Sequence, residues 1–142
     1  MFMGEYSHTI DSKGRLIIPA KFRERMGESF VVTQGLDGCL FGYADEEWKA
    51  LEQKVMNLPL SSERARKFSR FILGSAVQAE IDKQGRILLP PKLRNVAHLT
   101  KDVVLVGLGD RIEIWDKELW EEKSTYEDTA ELAGEMEGLG IG

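Results

Sequence analysis

The sequence predicts a mainly β fold with short helices, built from two tandem copies of one module joined by a helical connector. Three observations lead there. The first is size and composition: 142 residues, 42% hydrophobic and 30% charged, suit a single domain with a modest core. The second is an internal repeat, which decides the architecture before any local pattern does. Asp11-Ser12-Lys13-Gly14-Arg15-Leu16-Ile17-Ile18-Pro19 realigns with Asp82-Lys83-Gln84-Gly85-Arg86-Ile87-Leu88-Leu89-Pro90, 71 positions later, and the match runs on through Lys21/Lys92, Phe22/Leu93 and Arg23/Arg94. The third is a set of short apolar, β-branched runs, each followed by a glycine-containing turn.

Within each module the elements follow in one order. A short strand leads into an Asp-x-x-Gly-Arg turn, and Leu16-Ile17-Ile18 or Ile87-Leu88-Leu89 leaves it as a buried strand. Pro19 and Pro90-Pro91 suit the start of a short helix, where a missing N–H costs nothing. Phe30-Val31-Val32-Thr33 and Val103-Val104-Leu105-Val106 are the next strands. Each reaches a turn, Gly35-Leu36-Asp37-Gly38 or Gly107-Leu108-Gly109-Asp110, and then a further strand. Asp45 and Asp116 are placed to cap helices carrying Trp48 and Trp120.

Between the modules, Trp48, Leu51, Val55 and Leu58 have helical spacing, and Pro59 ends that helix. Ser61 or Ser62 starts a second helix with Ala65, Phe68, Phe71 and Ile72 as its apolar stripe, and Gly74 closes it. The expected division is residues 5–47 and 76–119 for the two modules, 48–75 for the connector, and 120–142 for a short helix and a mobile acidic tail. One module is too short to enclose a core of its own. Two packed together, within a chain or between chains, would form a fused pseudo-dimer.

The net charge of −5 argues less against nucleic acid than its sum suggests. Residues 121–142 hold seven acids and one base, which leaves 18 bases and 17 acids in the body. Lys13, Arg15, Lys21, Arg23 and Arg25 gather in one short stretch. Arg64, Arg66, Lys67 and Arg70 flank the apolar stripe of the connector, either as solvated charges or as contacts to acidic neighbouring subunits.

Other classes are disfavoured. No stretch approaches 18 consecutive apolar residues, and the N-terminus lacks a basic segment before an apolar one, so neither a membrane span nor a signal peptide is expected. The single cysteine, Cys39, rules out an internal disulfide and points to a reducing cytoplasm and a core position. His8 and His98 have no partners at metal spacing, so no metal or cofactor is expected. A catalytic carboxylate pair of Asp11 and Asp82 is disfavoured, because turn chemistry already accounts for both. Gly107-Leu108-Gly109-Asp110 lacks a following Lys-Ser/Thr and is no phosphate loop. Neither an enzyme nor a small-molecule substrate is expected.

The Asp-x-x-Gly-Arg turn carries the functional signal. Asp starts a turn through its side chain and Gly permits positive φ, but a turn has no need of arginine. Either copy alone could be an ordinary turn with solvated charges. Repetition with Arg15 and Arg86 both kept asks for a role, and a planar guanidinium suits phosphate or the edge of guanine.

Met3-Gly4-Glu5-Tyr6, His8, Ile10-Asp11-Ser12-Lys13-Gly14-Arg15 and Ile18-Pro19-Ala20-Lys21-Phe22-Arg23 resemble the opening of the bacterial MraZ transcriptional regulators, and Asp82 to Arg86 with Leu89-Pro90 resembles that family's second element. The resemblance runs to about Trp120. It implies two AbrB-like swapped-hairpin modules forming a double-split β-barrel, and a ring-shaped homo-oligomer. It also implies sequence-specific binding of double-stranded DNA at repeated boxes upstream of the division and cell-wall gene cluster, and so a cytoplasmic, nucleoid-associated protein. Arg15 and Arg86, with Lys13 and Lys83, would contact DNA; Asp11, Gly14, Asp82 and Gly85 would orient the turns. The competing class is a non-catalytic scaffold whose basic turns hold an acidic protein partner.

Overall fold

The computed structural model describes residues 1–141. In chain order the elements are β1 (Phe2–Thr9), β2 (Arg15–Ile17), α1 (Ala20–Met26), β3 (Ser29–Gln34), β4 (Leu40–Tyr43), α2 (Asp45–Met56), α3 (Glu63–Ile72), β5 (Val77–Glu80), β6 (Arg86–Leu88), α4 (Pro91–Val96), β7 (Asp102–Gly109), β8 (Ile112–Asp116), α5 (Lys117–Lys123) and α6 (Thr129–Glu137). The expected mainly β chain with short helices is what forms. The strands make an open six-stranded sheet, ordered β1-β7-β8-β4-β3-β5, and a separate two-stranded ribbon, β2-β6, with no closed barrel among the described residues.

That order is palindromic. Exchanging each strand for its repeat equivalent (β1 with β5, β3 with β7, β4 with β8) reverses the sequence of strands without changing it. The first strand of each repeat therefore pairs with the other repeat: β1 lies antiparallel to β7, and β5 antiparallel to β3. β4 and β8 meet at the centre, with Phe41 opposite Glu113. The ribbon is shared too, with Leu16 opposite Ile87.

One core serves both halves. Leu16, Ile18 and Phe22 are buried in the same cluster as their equivalents Ile87, Leu89 and Leu93, beside Phe30, Val32, Leu105 and Ile114. Each fully buried large side chain contributes roughly 1.5–3 kcal/mol over its exposed state. Because the contributions interleave across the repeats, neither repeat owns a core. A second cluster on the opposite sheet face packs Phe41, Tyr43, Val104, Val106 and Trp115 under Trp48 of α2 and Leu119 and Trp120 of α5. Cys39 belongs to this cluster and is buried, just before β4.

Several local expectations change. Leu16-Ile17-Ile18 is not buried throughout: Leu16 and Ile18 face the core, while Ile17 points outward, as does Leu88 in the second copy. A two-stranded ribbon covered on one face alternates with period two, whatever the polarity of its residues. Asp45 does not cap α2. Ala44 takes the extended cap conformation, and Asp45, Glu46 and Glu47 fill the first turn, where they face the positive end of the helix dipole. Asp116 does cap α5, accepting from the Leu119 N–H at 3.1 Å, and Ser62 caps α3 through Ala65.

Gly107 lies inside β7 rather than in a turn, opposite Gly4. A Cβ there would collide with the backbone of Met3, so close strand approach explains the glycine. The turn falls later, at Gly109, whose φ is +77°. In α3 only Ile72 is buried, and Phe68 stays exposed, so the expected stripe is mostly uncovered. The acidic tail is not structureless: residues 129–137 form α6, although none of them is buried.

Candidate nucleic-acid interface

Both Asp-x-x-Gly-Arg segments fold identically. The Asp11 Oδ1 accepts the backbone N–H of Lys13 at 3.0 Å and of Arg15 at 2.9 Å, and its Oδ2 accepts the Arg15 Nε–H at 2.7 Å. The Asp82 Oδ1 accepts from Gln84 and Arg86, both at 2.9 Å, and its Oδ2 accepts the Arg86 Nε–H at 2.9 Å. Gly14 and Gly85 take φ of +86° and +80°, which L side chains rarely adopt. Backbone bonds from the Gly14 N–H to the Asp11 carbonyl (3.0 Å) and from Gly85 to Asp82 (2.9 Å) close each turn.

Each carboxylate thus shapes the turn and aims the arginine. The N–H bond from Arg15 holds the Asp11 carboxyl below its ordinary value of 3.8, with further lowering by the Arg15 side chain and the Lys13 N–H outweighing the effect of desolvation. Asp82 is lowered in the same way, first by the Arg86 N–H. Both remain ionised at neutral pH. Since Nε is committed to Asp, each guanidinium is left with its Nη edge free of hydrogen bonds among the described residues. That edge is the part of arginine that forks onto a phosphate or a guanine.

The ribbon brings the two turns together. The Ile18 N–H donates to the Gly85 carbonyl at 2.8 Å, and the Leu89 N–H to the Gly14 carbonyl at 3.0 Å, so each turn is pinned by the strand of the other repeat. Arg15 stands opposite Leu88, and Arg86 opposite Ile17. The expected site residues Arg15, Arg86, Asp11, Asp82, Gly14 and Gly85 thereby form one symmetric structure. Lys13 and Lys83 are both exposed but are not equivalent, because Gln84 occupies the place that Lys13 has in the first turn.

Two further arginines belong here that sequence reasoning left without a role. The Arg94 guanidinium of α4 lies against Gly14, where an added Cβ would sit 2.9 Å from its Cζ; the Arg23 guanidinium of α1 fills the same place against Gly85. The Arg94 Nε–H donates to the Leu89 carbonyl at 2.9 Å, whereas the Arg23 Nε is buried without a partner among the described residues. The signal was available: Arg23 and Arg94 match in the repeat. What the sequence hides is that each supports the opposite repeat's turn.

Elsewhere, burial, with a smaller push from Glu113 and Asp37, raises the Cys39 thiol to about 12, which keeps it protonated. The buried Glu113 is satisfied by the Trp115 Nε1–H at 2.9 Å and by Arg111 at 3.1 Å. Among the described residues no three His, Cys, Asp or Glu side chains group as metal ligands, and no helix is long and apolar enough to cross a membrane.

Fold and site together define a tandem-repeat β protein whose halves share one sheet and expose one arginine-bearing ribbon. The family model described as "MraZ protein, putative antitoxin-like" matches twice, over residues 1–71 and 72–136. Among similar proteins, "Transcriptional regulator MraZ" of Thermoanaerobacter sp. (strain X514) is 56% identical over 99% of this chain and 100% of its own length. The protein of that name from Caldanaerobacter subterraneus subsp. tengcongensis is 55% identical over 99% of this chain and 100% of its own. That from Ligilactobacillus salivarius (strain UCC118) is 60% identical over 85% of each chain. The chain belongs to the MraZ family.

Proposed function

We propose that the chain is a sequence-specific DNA-binding transcription regulator that performs no catalysis. The observation carrying this reading is the pair of arginines on the shared ribbon, each locked through Nε by its own aspartate, with its Nη groups free of hydrogen bonds among the described residues. Such pre-organisation lowers the ordering cost of a bidentate contact. The names of the relatives point the same way.

The finer reading follows the resemblance. Residues 5–47 and 76–119 act as two AbrB-like swapped-hairpin modules, and their exchanged strands are read as a double-split β-barrel, with sheet and ribbon as its two walls. Lys13 and Lys83 take phosphates, and Arg15 and Arg86 take phosphates or guanine edges. Several copies in a ring-shaped homo-oligomer bind repeated boxes upstream of the division and cell-wall gene cluster, which places the protein in the cytoplasm on the nucleoid. One protomer offers few cations, so linked sites supply the strength, raising avidity by roughly 10²–10⁴ when box spacing fits.

The test is a salt series on the protein's own upstream DNA, with one box or several, beside a scrambled control and the solution mass. Each engaged phosphate contributes about −0.9 to the slope of log affinity against log salt, so the several-box slope is the steeper. Arg15→Ala costs about 1–3 kcal/mol per lost bidentate contact. Unchanged affinity in a folded Arg15→Ala protein removes the turn from the interface. Absence of DNA retention, with self-assembly kept, favours the acidic-protein scaffold instead.

A further inference from the structure

The outward face of the ribbon holds four residues. Leu16 and Ile87 turn into the core, so by strand alternation Arg15 and Ile17 on β2, with Arg86 and Leu88 on β6, turn out. Two of these four are large aliphatics in the open: Ile17 is 43% and Leu88 61% exposed. A single exposed aliphatic needs no explanation. Here the exposure occurs at both equivalent repeat positions, and each aliphatic stands directly across the ribbon from a held arginine: Arg15 opposite Leu88, Ile17 opposite Arg86. Among the described residues nothing covers them.

We infer that this face lies in the DNA major groove and that Ile17 and Leu88 read thymine methyl groups there, beside the arginines. The inference rests on the DNA-binding reading above and names the chemistry of the site read. A two-stranded ribbon fits a major groove about 12 Å wide, and thymine presents there the C5-methyl group that apolar side chains recognise. Arg15 and Ile17 are two residues apart on one strand, about 7 Å, which matches two base-pair steps of about 3.4 Å. The pseudo-two-fold axis through Leu16 and Ile87 then sets an arginine beside an aliphatic at each end of the ribbon, a pattern suited to guanine and thymine close together on both strands.

The experiment uses the full chain and its own upstream DNA, made either with thymine or with uracil, which differs only by the missing methyl. Burying one methyl is worth about 0.8 kcal/mol, or about four-fold in affinity, so two contacts give roughly fifteen-fold preference for thymine DNA. Ile17→Ala/Leu88→Ala is expected to weaken binding to thymine DNA and bring the thymine-to-uracil ratio close to one. Ile17→Ser/Leu88→Ser, which removes every side-chain methyl and whose fold is checked by circular dichroism, guards against misfolding as the cause. Arg15→Ala is expected to weaken both DNAs and keep the ratio. Equal binding of both DNAs by the native protein overturns the methyl contact while leaving DNA binding intact, as does an undiminished ratio in the folded double variants. Failure of the native protein to bind either DNA above a scrambled control overturns the DNA reading and this inference together.

Discussion

Asp11 and Asp82 show how much a single carboxylate settles. Two oxygens fix two backbone N–H groups and one guanidinium, so the turn and the aim of the arginine come from the same side chain. Because both carboxyls are lowered in the folded state, their contribution to stability is complete above the ordinary value of 3.8 and is lost as pH falls through the lower folded value. Asp11→Asn/Asp82→Asn should therefore flatten the fall in melting temperature over that acid range. The effect should be small, since both groups meet solvent; a profile identical to the native one would show that the turns do not depend on the charges. Cys39 gives a second residue-level test. With its thiol pushed to about 12, a thiol reagent at pH 8 should leave the native protein almost unreacted and titrate one group on unfolding. Fast labelling of the folded chain would place Cys39 nearer solvent than the second cluster allows.

At the level of elements, the ribbon depends on glycines for two separate reasons, and a matched pair of substitutions separates them. Gly27, which ends α1, has φ of +78° and open space where a Cβ would go. Gly14 has φ of +86° and the Arg94 guanidinium in that space. Gly27→Ala should cost about 1–3 kcal/mol from backbone strain alone, at φ +78° and ψ −145°. Gly14→Ala should in addition weaken DNA binding, because Arg94 must move; undiminished binding by a folded Gly14→Ala protein would remove Arg94 from the turn's support. The turns were legible in the sequence because Asp, Gly and Pro at fixed offsets answer backbone demands that any chain must meet. Nothing in the sequence marks Ile17 and Leu88 as facing outward, because three aliphatics in a row carry no alternation to read. α6 is not legible, since Gly134, Gly138 and five acids read as a solvated tail, and no buried face marks it as a helix. The exchange of strand partners was illegible for a deeper reason: period-two patterning tells which face a residue takes, not which strand lies beside it.

At the scale of the whole molecule, the exchange binds the two repeats into one cooperative unit. A fragment of residues 1–71 lacks partners for β1, β2 and β3's outer edge, and one of residues 72–136 lacks the complementary set. Each fragment alone should be largely unfolded by circular dichroism, and an equimolar mixture should regain β structure; two independently folded fragments would mean that each half closes its own core. The pairing of β1 with β7 has a consequence for how the chain is made. Phe2 finds its partner at Gly109 and Thr9 finds Asp102, so β1 leaves the ribosome about a hundred residues ahead of its neighbour. At roughly 5–20 residues per second, β1 waits some 5–20 s before that neighbour exists. Through that interval the nascent chain carries an unpaired strand with Phe2 and Tyr6 uncovered, and the polar residues of the same strand, Glu5, Ser7 and His8, are what keeps it in solution.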